Sequence, residues 1–123
     1  MTNSSPTNFQ RGNVVLCRTP MPSTQLQEFK VRPAVIISAS RLNDILEDVI
    51  IIPCTSNTNR SLTATQYLIT GDEIIAAGIM VDSVVRCESI FTVNKSMIIR
   101  KLGMLTQEAL EGVSRCLMLA LEL

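Results

Sequence analysis

The segment Asp48-Val49-Ile50-Ile51-Ile52-Pro53-Cys54-Thr55 is apolar from Val49 to Ile52, with no polar residue alternating through it. A strand with one wet face alternates; a strand that does not alternate is covered on both faces. This segment therefore predicts a central strand, and the others are read outward from it. Upstream, Val31-Arg32-Pro33-Ala34-Val35-Ile36-Ile37-Ser38 is a second strand, with Pro33 near its start, where a missing N–H is tolerated. Gly12 to Cys17 is a short β-branched strand before it. Thr19 to Glu28 holds two prolines and reads as a long loop, and Arg41 to Leu46 as one helical turn. Downstream, Asn57 to Ser61 is a polar loop. Thr65 to Thr70 and Gly78 to Val85 continue the β pattern, and Arg86 to Val93 is a last strand.

The pattern changes after Asn94. Thr106 is an N-cap candidate, with Gln107 and Glu108 in the first turn and Leu105 and Leu110 at the two positions of a hydrophobic staple. Leu110, Val113, Leu117, Ala120 and Leu121 then recur at helical spacing. Short strands followed by one helix predict an α+β, mostly β chain: a small antiparallel barrel or half-barrel with a C-terminal helix.

Of the 123 residues, 46% are hydrophobic and 18% charged, which suits one packed domain. Residues 1–10 read as a flexible lead-in and 11–123 as that domain. Eleven basic residues balance eleven acidic ones, which excludes a broadly basic nucleic-acid coat but not a local basic cleft. Histidine is absent, which removes imidazole catalysis and imidazole metal sites. Chemistry here runs on carboxylates, guanidinium groups, hydroxyls or thiols. Cys17, Cys54, Cys87 and Cys116 form no Cys-x-x-Cys pair, so a zinc ribbon or dithiol redox motif is not expected. Three of them lie in apolar runs and read as reduced, buried thiols. No secretory signal is visible, and no apolar run approaches the ~20 residues of a membrane span. The expected location is cytoplasmic, with no membrane contact.

Single residues carry weaker signals. Arg32 at the start of a core strand is either a solvated edge residue or an anion ligand. Thr55-Ser56 after the buried strand either caps a turn or donates to a phosphate. Arg86 and Glu88, two apart on an apolar strand, share one face. They are either an exposed ion pair or a guanidinium beside a proton-accepting carboxylate.

Taken in order, the segments Arg11-Gly12-Asn13-Val14-Val15-Leu16, Val31-Arg32-Pro33-Ala34-Val35, Ile52-Pro53-Cys54-Thr55-Ser56, Val84-Val85-Arg86-Cys87-Glu88 with Thr92, and Lys101-Leu102-Gly103-Met104-Leu105 before a helix form a pattern. This pattern resembles the MazF/PemK/Kid toxins of type II toxin–antitoxin modules, across Arg11 to Leu123. Around Arg86 the resemblance is to the PemK/Kid branch. It implies an SH3-like or CcdB-like barrel, a homodimer, and a metal-independent, cofactor-free endoribonuclease that cuts single-stranded mRNA and is blocked by a cognate antitoxin. It also implies catalytic roles for Arg32, Thr55, Arg86 and Glu88, with Glu88 as the base, and an RNA-binding role for Ser56. Lys30, Arg60 and Thr92 complete the expected RNA-binding set, and so few cations predict a shallow salt dependence. Where the family often has Gln-x-Arg-Thr, this chain has Ser89-Ile90-Phe91-Thr92. Two alternatives stand beside this reading: a CcdB-type toxin that binds gyrase and cleaves nothing, and a catalytically decayed partner-binding module of the same fold.

Overall fold

β-branched side chains pack well on a pleated sheet and crowd a helix, and β3 (Asp48–Thr55) is built on four of them in a row. In the computed structural model, which describes residues 8–21, 24–25 and 27–123, β3 is the strand with the most neighbours. On one side it pairs with β2 (Phe29–Ile36) through Ala34↔Pro53 to Ile36↔Ile51. It also pairs with β6 (Phe91–Asn94) along Asp48–Ile51 and with β5 (Ser83–Arg86) along Cys54–Thr55. β1 (Asn13–Pro20) joins β2 to β7 (Ile98–Met104), and β4 (Gln66–Ile69) closes the far side on β5. Every pairing is antiparallel. The path β4-β5-β3-β2-β1-β7 does not return on itself, so the seven strands form an open half-barrel.

The unbroken apolar runs have a simple cause. Successive side chains of a strand point to opposite faces. Here each face has its own core. Val14, Val35 and Ile52 belong to one cluster, which α3 (Gln107–Leu121) covers with Ala109 and Val113. Val15, Ala34, Ile36 and Ile51 belong to the other, with Phe9 and Val93. Ile51 and Ile52 are both fully buried because each lies in a different core.

The expected helical turn after β2 is α1 (Ser40–Ile45), and the helix signals at the C-terminus act as read. Thr106 Oγ1 accepts the Ala109 N–H at 3.1 Å, and Leu105 and Leu110 meet in the same cluster. Other expectations need correction. Ordered packing starts before residue 11: Phe9 is 2% exposed and Lys101 Nζ lies over its ring, while residues 1–7 of the expected lead-in lie outside the described residues. β1 runs on through Thr19 and Pro20, residues assigned to a loop; positions 22, 23 and 26 of that loop are also outside the described residues. Pro33 sits in the middle of β2, not at its start. It is tolerated because the ladder to β3 begins only at Ala34, leaving β2 with one neighbour there.

The stretch between β4 and β5 contains a helix, α2 (Asp72–Ala77), with Asp72 and Glu73 in its first turn. Gly78 ends it in the left-handed conformation at φ 74°, and β5 begins only at Ser83. The expected last strand is interrupted at Cys87–Ile90, where the Ser89 N–H bonds the Arg86 carbonyl at 2.9 Å. β7 follows as an edge strand paired only with β1. α2 lies against β7, and the two meet backbone to backbone at Gly78 and Gly103.

Candidate active site

Where β2 loses its second neighbour, a gap opens beside β3. The gap, a cleft of about 520 Å³, lies between the first half of β2, the end of β3 and the Ile79–Val81 loop after α2. Arg32 and Thr55 line it together with Ser56, Lys30 and Arg100. A second cleft of about 250 Å³ shares Arg32 and Thr55 and adds Arg86, Ser89 and Phe91. A third of about 200 Å³ shares Thr55 and Arg86 and adds Arg60, Asn57 and Gln66. The three clefts meet at Thr55, with Arg32 and Arg86 on either side.

The electrostatics of this groove differ from those of the whole chain. Lys30, Arg32, Arg60, Arg86 and Arg100 line it; among the described residues no carboxylate does, and Glu88 reaches it only through its ion pair with Arg86 at 3.1 Å. A chain of zero net charge has thus gathered five cations along one groove. Arg32 is half-buried, and its Nε is fully buried with no hydrogen-bond partner among the described residues. A buried donor without an acceptor costs free energy, and such orphans concentrate where a ligand completes them. Thr55 Oγ1 accepts the Asn57 N–H at 3.1 Å, which turns the chain out of β3 and leaves the hydroxyl hydrogen free to donate to a ligand. Burial pushes the neighbouring Cys54 thiol up to about 12, against the opposing pull of the Arg32 guanidinium. At neutral pH Cys54 is a packing residue, not a nucleophile. All four cysteines are free, with Cys116 half-buried and the other three buried.

Glu88 needs revision. It is not on a strand face with Arg86: β5 ends at Arg86 and Glu88 lies in the following turn, which folds it back. Its Oε1 accepts from Thr65 Oγ1 at 2.8 Å, and its Oε2 from Gln66 Nε2 at 2.9 Å and Arg86 Nε at 3.1 Å. Burial raises its pKa, but the hydrogen bonds from Gln66, Thr65, its own backbone and Arg86 outweigh that and bring it from 4.5 to about 2. A carboxylate with both oxygens engaged and so low a pKa is a weak proton acceptor at neutral pH. It lines none of the three clefts. In this arrangement Glu88 holds Arg86 in place.

The expected consequence is specific. For the nuclease that the resemblance implies, Glu88→Gln is expected to lower turnover about tenfold, not by the several orders that loss of a general base would bring, and to leave the shape of the wild-type rate profile between pH 5 and 8 unchanged. A wild-type acid limb that disappears in Glu88→Gln, or a thousandfold loss in stopped-flow assays, would restore Glu88 as the base. The sign for stability follows from the same shift. Because the folded pKa is depressed, the contribution is complete above about pH 4.5 and is lost as pH falls towards 2.

Of the remaining expected residues, Ser56 and Lys30 line the largest cleft and Arg60 the smallest, whereas Thr92, paired with Ile50 on β6, lines none. Arg100 was missed. It lies opposite Leu16 in β7, and the only signal was the alternation of an edge strand broken by two adjacent cations. Met80 and Val81 were missed as well, because the loop that presents them lies in the stretch Gly78 to Val85, read as strand, whereas β5 begins only at Ser83. Among the described residues, no three Cys, Asp or Glu side chains cluster as a metal site requires.

The molecule is thus a small, mostly β protein: an open antiparallel half-barrel covered by a C-terminal helix and carrying an arginine-lined groove. Solved structures of the same shape include an endoribonuclease from Mycobacterial species (TM-score 0.74, 21% identity, covering 94% of this chain and 93% of that one). Another is an endoribonuclease in complex with its cognate antitoxin from Mycobacterial species (TM-score 0.74, 22% identity, 94% and 96%). MazF from Deinococcus radiodurans is a third (TM-score 0.73, 17% identity, 94% and 97%). Comparison with curated protein sequences gave no match. The family model for the PemK-like, MazF-like toxin of type II toxin–antitoxin systems matches residues 10–121. The chain belongs to that family.

Proposed function

We propose that this toxin is an endoribonuclease that cleaves single-stranded mRNA within the Arg32–Thr55–Arg86 groove, and that its growth-inhibiting action follows from that cleavage. The observation that carries the reading is the buried, unpartnered Nε of Arg32 in a groove without carboxylates. In the proposed reaction the ribose 2′-oxygen attacks the adjacent phosphorus and loses its proton. The bond from phosphorus to the 5′-oxygen breaks, and that oxygen takes up a proton. The products are a cyclic phosphate and a 5′-hydroxyl. RNA supplies its own nucleophile, so the reaction needs no cofactor, and DNA, lacking the 2′-hydroxyl, is refractory. Arg32 and Arg86 steady the charge on the phosphorane with forked donors, and Thr55, with Ser56 beside it, donates to a non-bridging oxygen. Glu88 positions Arg86. Water exchanges the two protons, since the groove walls hold no carboxylate. A gyrase-binding toxin has no need of an orphaned guanidinium in a groove, so the cleaving reading is preferred.

The protein partners follow from the same surface. An acidic, apolar tail of a cognate antitoxin complements a groove that combines cations with exposed Val31 and Met80. Leu119 and Leu121, exposed at the end of α3, and Leu123 just after it support a homodimer. Primer-extension mapping on a long single-stranded RNA tests the activity. Reproducible cuts at a short sequence support it. Intact RNA together with inhibited gyrase supercoiling would replace it with the gyrase-binding reading.

The five groove cations also set a salt dependence. A plot of log KM-derived affinity against log salt has an expected slope between about −2 and −3.5, for three to five neutralised phosphates on a single strand. A slope steeper than about −6 would place the RNA on another surface.

A further inference from the structure

The three clefts meet where the scissile phosphate sits in the proposed reaction, so the bases on either side of it fall into the clefts themselves. The walls differ in kind. The largest cleft is cationic and aliphatic, and the smallest is lined with amides from Asn57 and Gln66. The second holds the one aromatic side chain in the whole groove, Phe91. The chain has no tryptophan, one tyrosine and three phenylalanines, so this placement is selective. Phe9 is buried in the core, the Tyr67 hydroxyl is committed to Glu73 at 2.7 Å, and Phe29 lines none of the three clefts.

Phe91 is held firmly. It lies on β6 opposite Ile51, packs in part on the second core, and lines the cleft. Arg32 and Arg86 line that cleft too, so a nucleotide whose phosphate they hold has this ring within reach of its base. Ser89, at the same wall, brings a hydroxyl that both donates and accepts. A rigid aromatic face beside paired guanidinium groups is the combination by which single-stranded nucleic acid is held: charge for the backbone, stacking for the base.

We propose that the cleft formed by Phe91, Ser89, Arg32 and Arg86 is a nucleobase subsite, in which one unpaired base next to the cleaved phosphate stacks on Phe91. The assignment rests on the endoribonuclease reading above. It adds an affinity-determining residue that takes no part in the chemistry.

The absence of tryptophan makes the test direct. Phe91→Trp introduces the sole indole and retains a stacking face. Its emission is expected to fall saturably on titration with a 2′-O-methylated oligomer spanning the mapped cut, and to stay unchanged when the nucleotide next to the cut is abasic. Phe91→Leu keeps the packing volume on the core but removes the stacking face. It is expected to raise KM about tenfold, within the range one stacked base contributes, with kcat within about threefold of wild type. Wild-type KM values in Phe91→Trp complete the rescue. RNA cleavage by the wild-type protein, with no quenching in Phe91→Trp and an unchanged KM in Phe91→Leu, would overturn the subsite and leave the nuclease standing. Failure of the wild-type protein to cut any RNA would overturn both.

Discussion

Arg32→Ala is expected to reduce RNA cleavage by about a thousandfold or more while the protein melts within about 4 °C of wild type. The two halves of this result have one origin. Arg32 Nε is a buried donor with no acceptor among the described residues. In the free protein it contributes no hydrogen bond to stability and carries a desolvation cost of about 1–3 kcal/mol. Alanine removes that cost along with the packing of the alkyl stem, and the two effects oppose each other. In the transition state the terminal nitrogens of the same guanidinium meet the extra negative charge of the phosphorane. Removing one such preorganised donor typically costs 10²–10³ in rate, and a guanidinium supplies more than one. Arg32→Lys keeps the charge but loses the fork, and is expected to fall between the two proteins. Circular dichroism melts and a fluorogenic RNA oligomer measure both quantities on the same samples. Cleavage within tenfold of wild type would remove Arg32 from the site.

Gly78→Ala is expected to lower stability by about 3–5 kcal/mol, a melting temperature drop of about 10–20 °C. Two separate causes add here. Gly78 has φ 74°, a left-handed conformation that disfavours any Cβ by about 1–2 kcal/mol. A Cβ built at this position runs into the carbonyl of Leu102 on β7, which is backbone and has no rotamer to move. Relief therefore means pushing α2 away from β7, an overpacking that typically costs about 1–3 kcal/mol and sometimes more. Because Gly78, Leu102 and Arg100 all line the largest cleft, the same displacement widens the groove. Folded Gly78→Ala at low temperature is thus expected to show weakened RNA binding as well. By contrast, Gly71→Ala has open space around its Cβ and bears only the backbone strain of φ 63°, ψ −134°, outside the left-handed helical region, with an expected loss of about 1–3 kcal/mol. A loss of no more than about 2 kcal/mol in Gly78→Ala would show that backbone conformation alone, and not the close approach to β7, governs this corner.

The elements legible in the sequence were those whose signal is local and strong. Val49 to Ile52 declares a strand by β-branching, and Thr106 with Leu105 and Leu110 declares a helix start. Both stand where they were read. α2 and β7 were not legible for opposite reasons. α2 is six residues long, too short to show a helical repeat, and is held by its contact with β7 and by the Gly78 terminator. β7 carries Arg100-Lys101 and Gly103 because an edge strand has one pairing partner and an exposed side. Its strand character is supplied by β1. Arg100 was lost from the site with it. The exposed Arg86–Glu88 ion pair was among the readings of the sequence, but the further partners Thr65 and Gln66 were not, because they lie more than twenty residues away along the chain.

The sequence by itself determined the class of the protein: a mostly β chain with a C-terminal helix, free of histidine, and carrying the ordered Arg32, Thr55 and Arg86 pattern of its toxin family. These are properties of residue type and spacing, which survive without coordinates. Only the tertiary structure decided that a chain of zero net charge concentrates five cations in one groove, that Arg32 waits there without a partner, and that Glu88 is engaged with Arg86 instead of free to take a proton. Charge balance, hydrogen-bond satisfaction and pKa depend on which groups meet across the fold. The sheet sets those meetings through β2 leaving β3 at Ala34 and the turn after Arg86 folding back on β4.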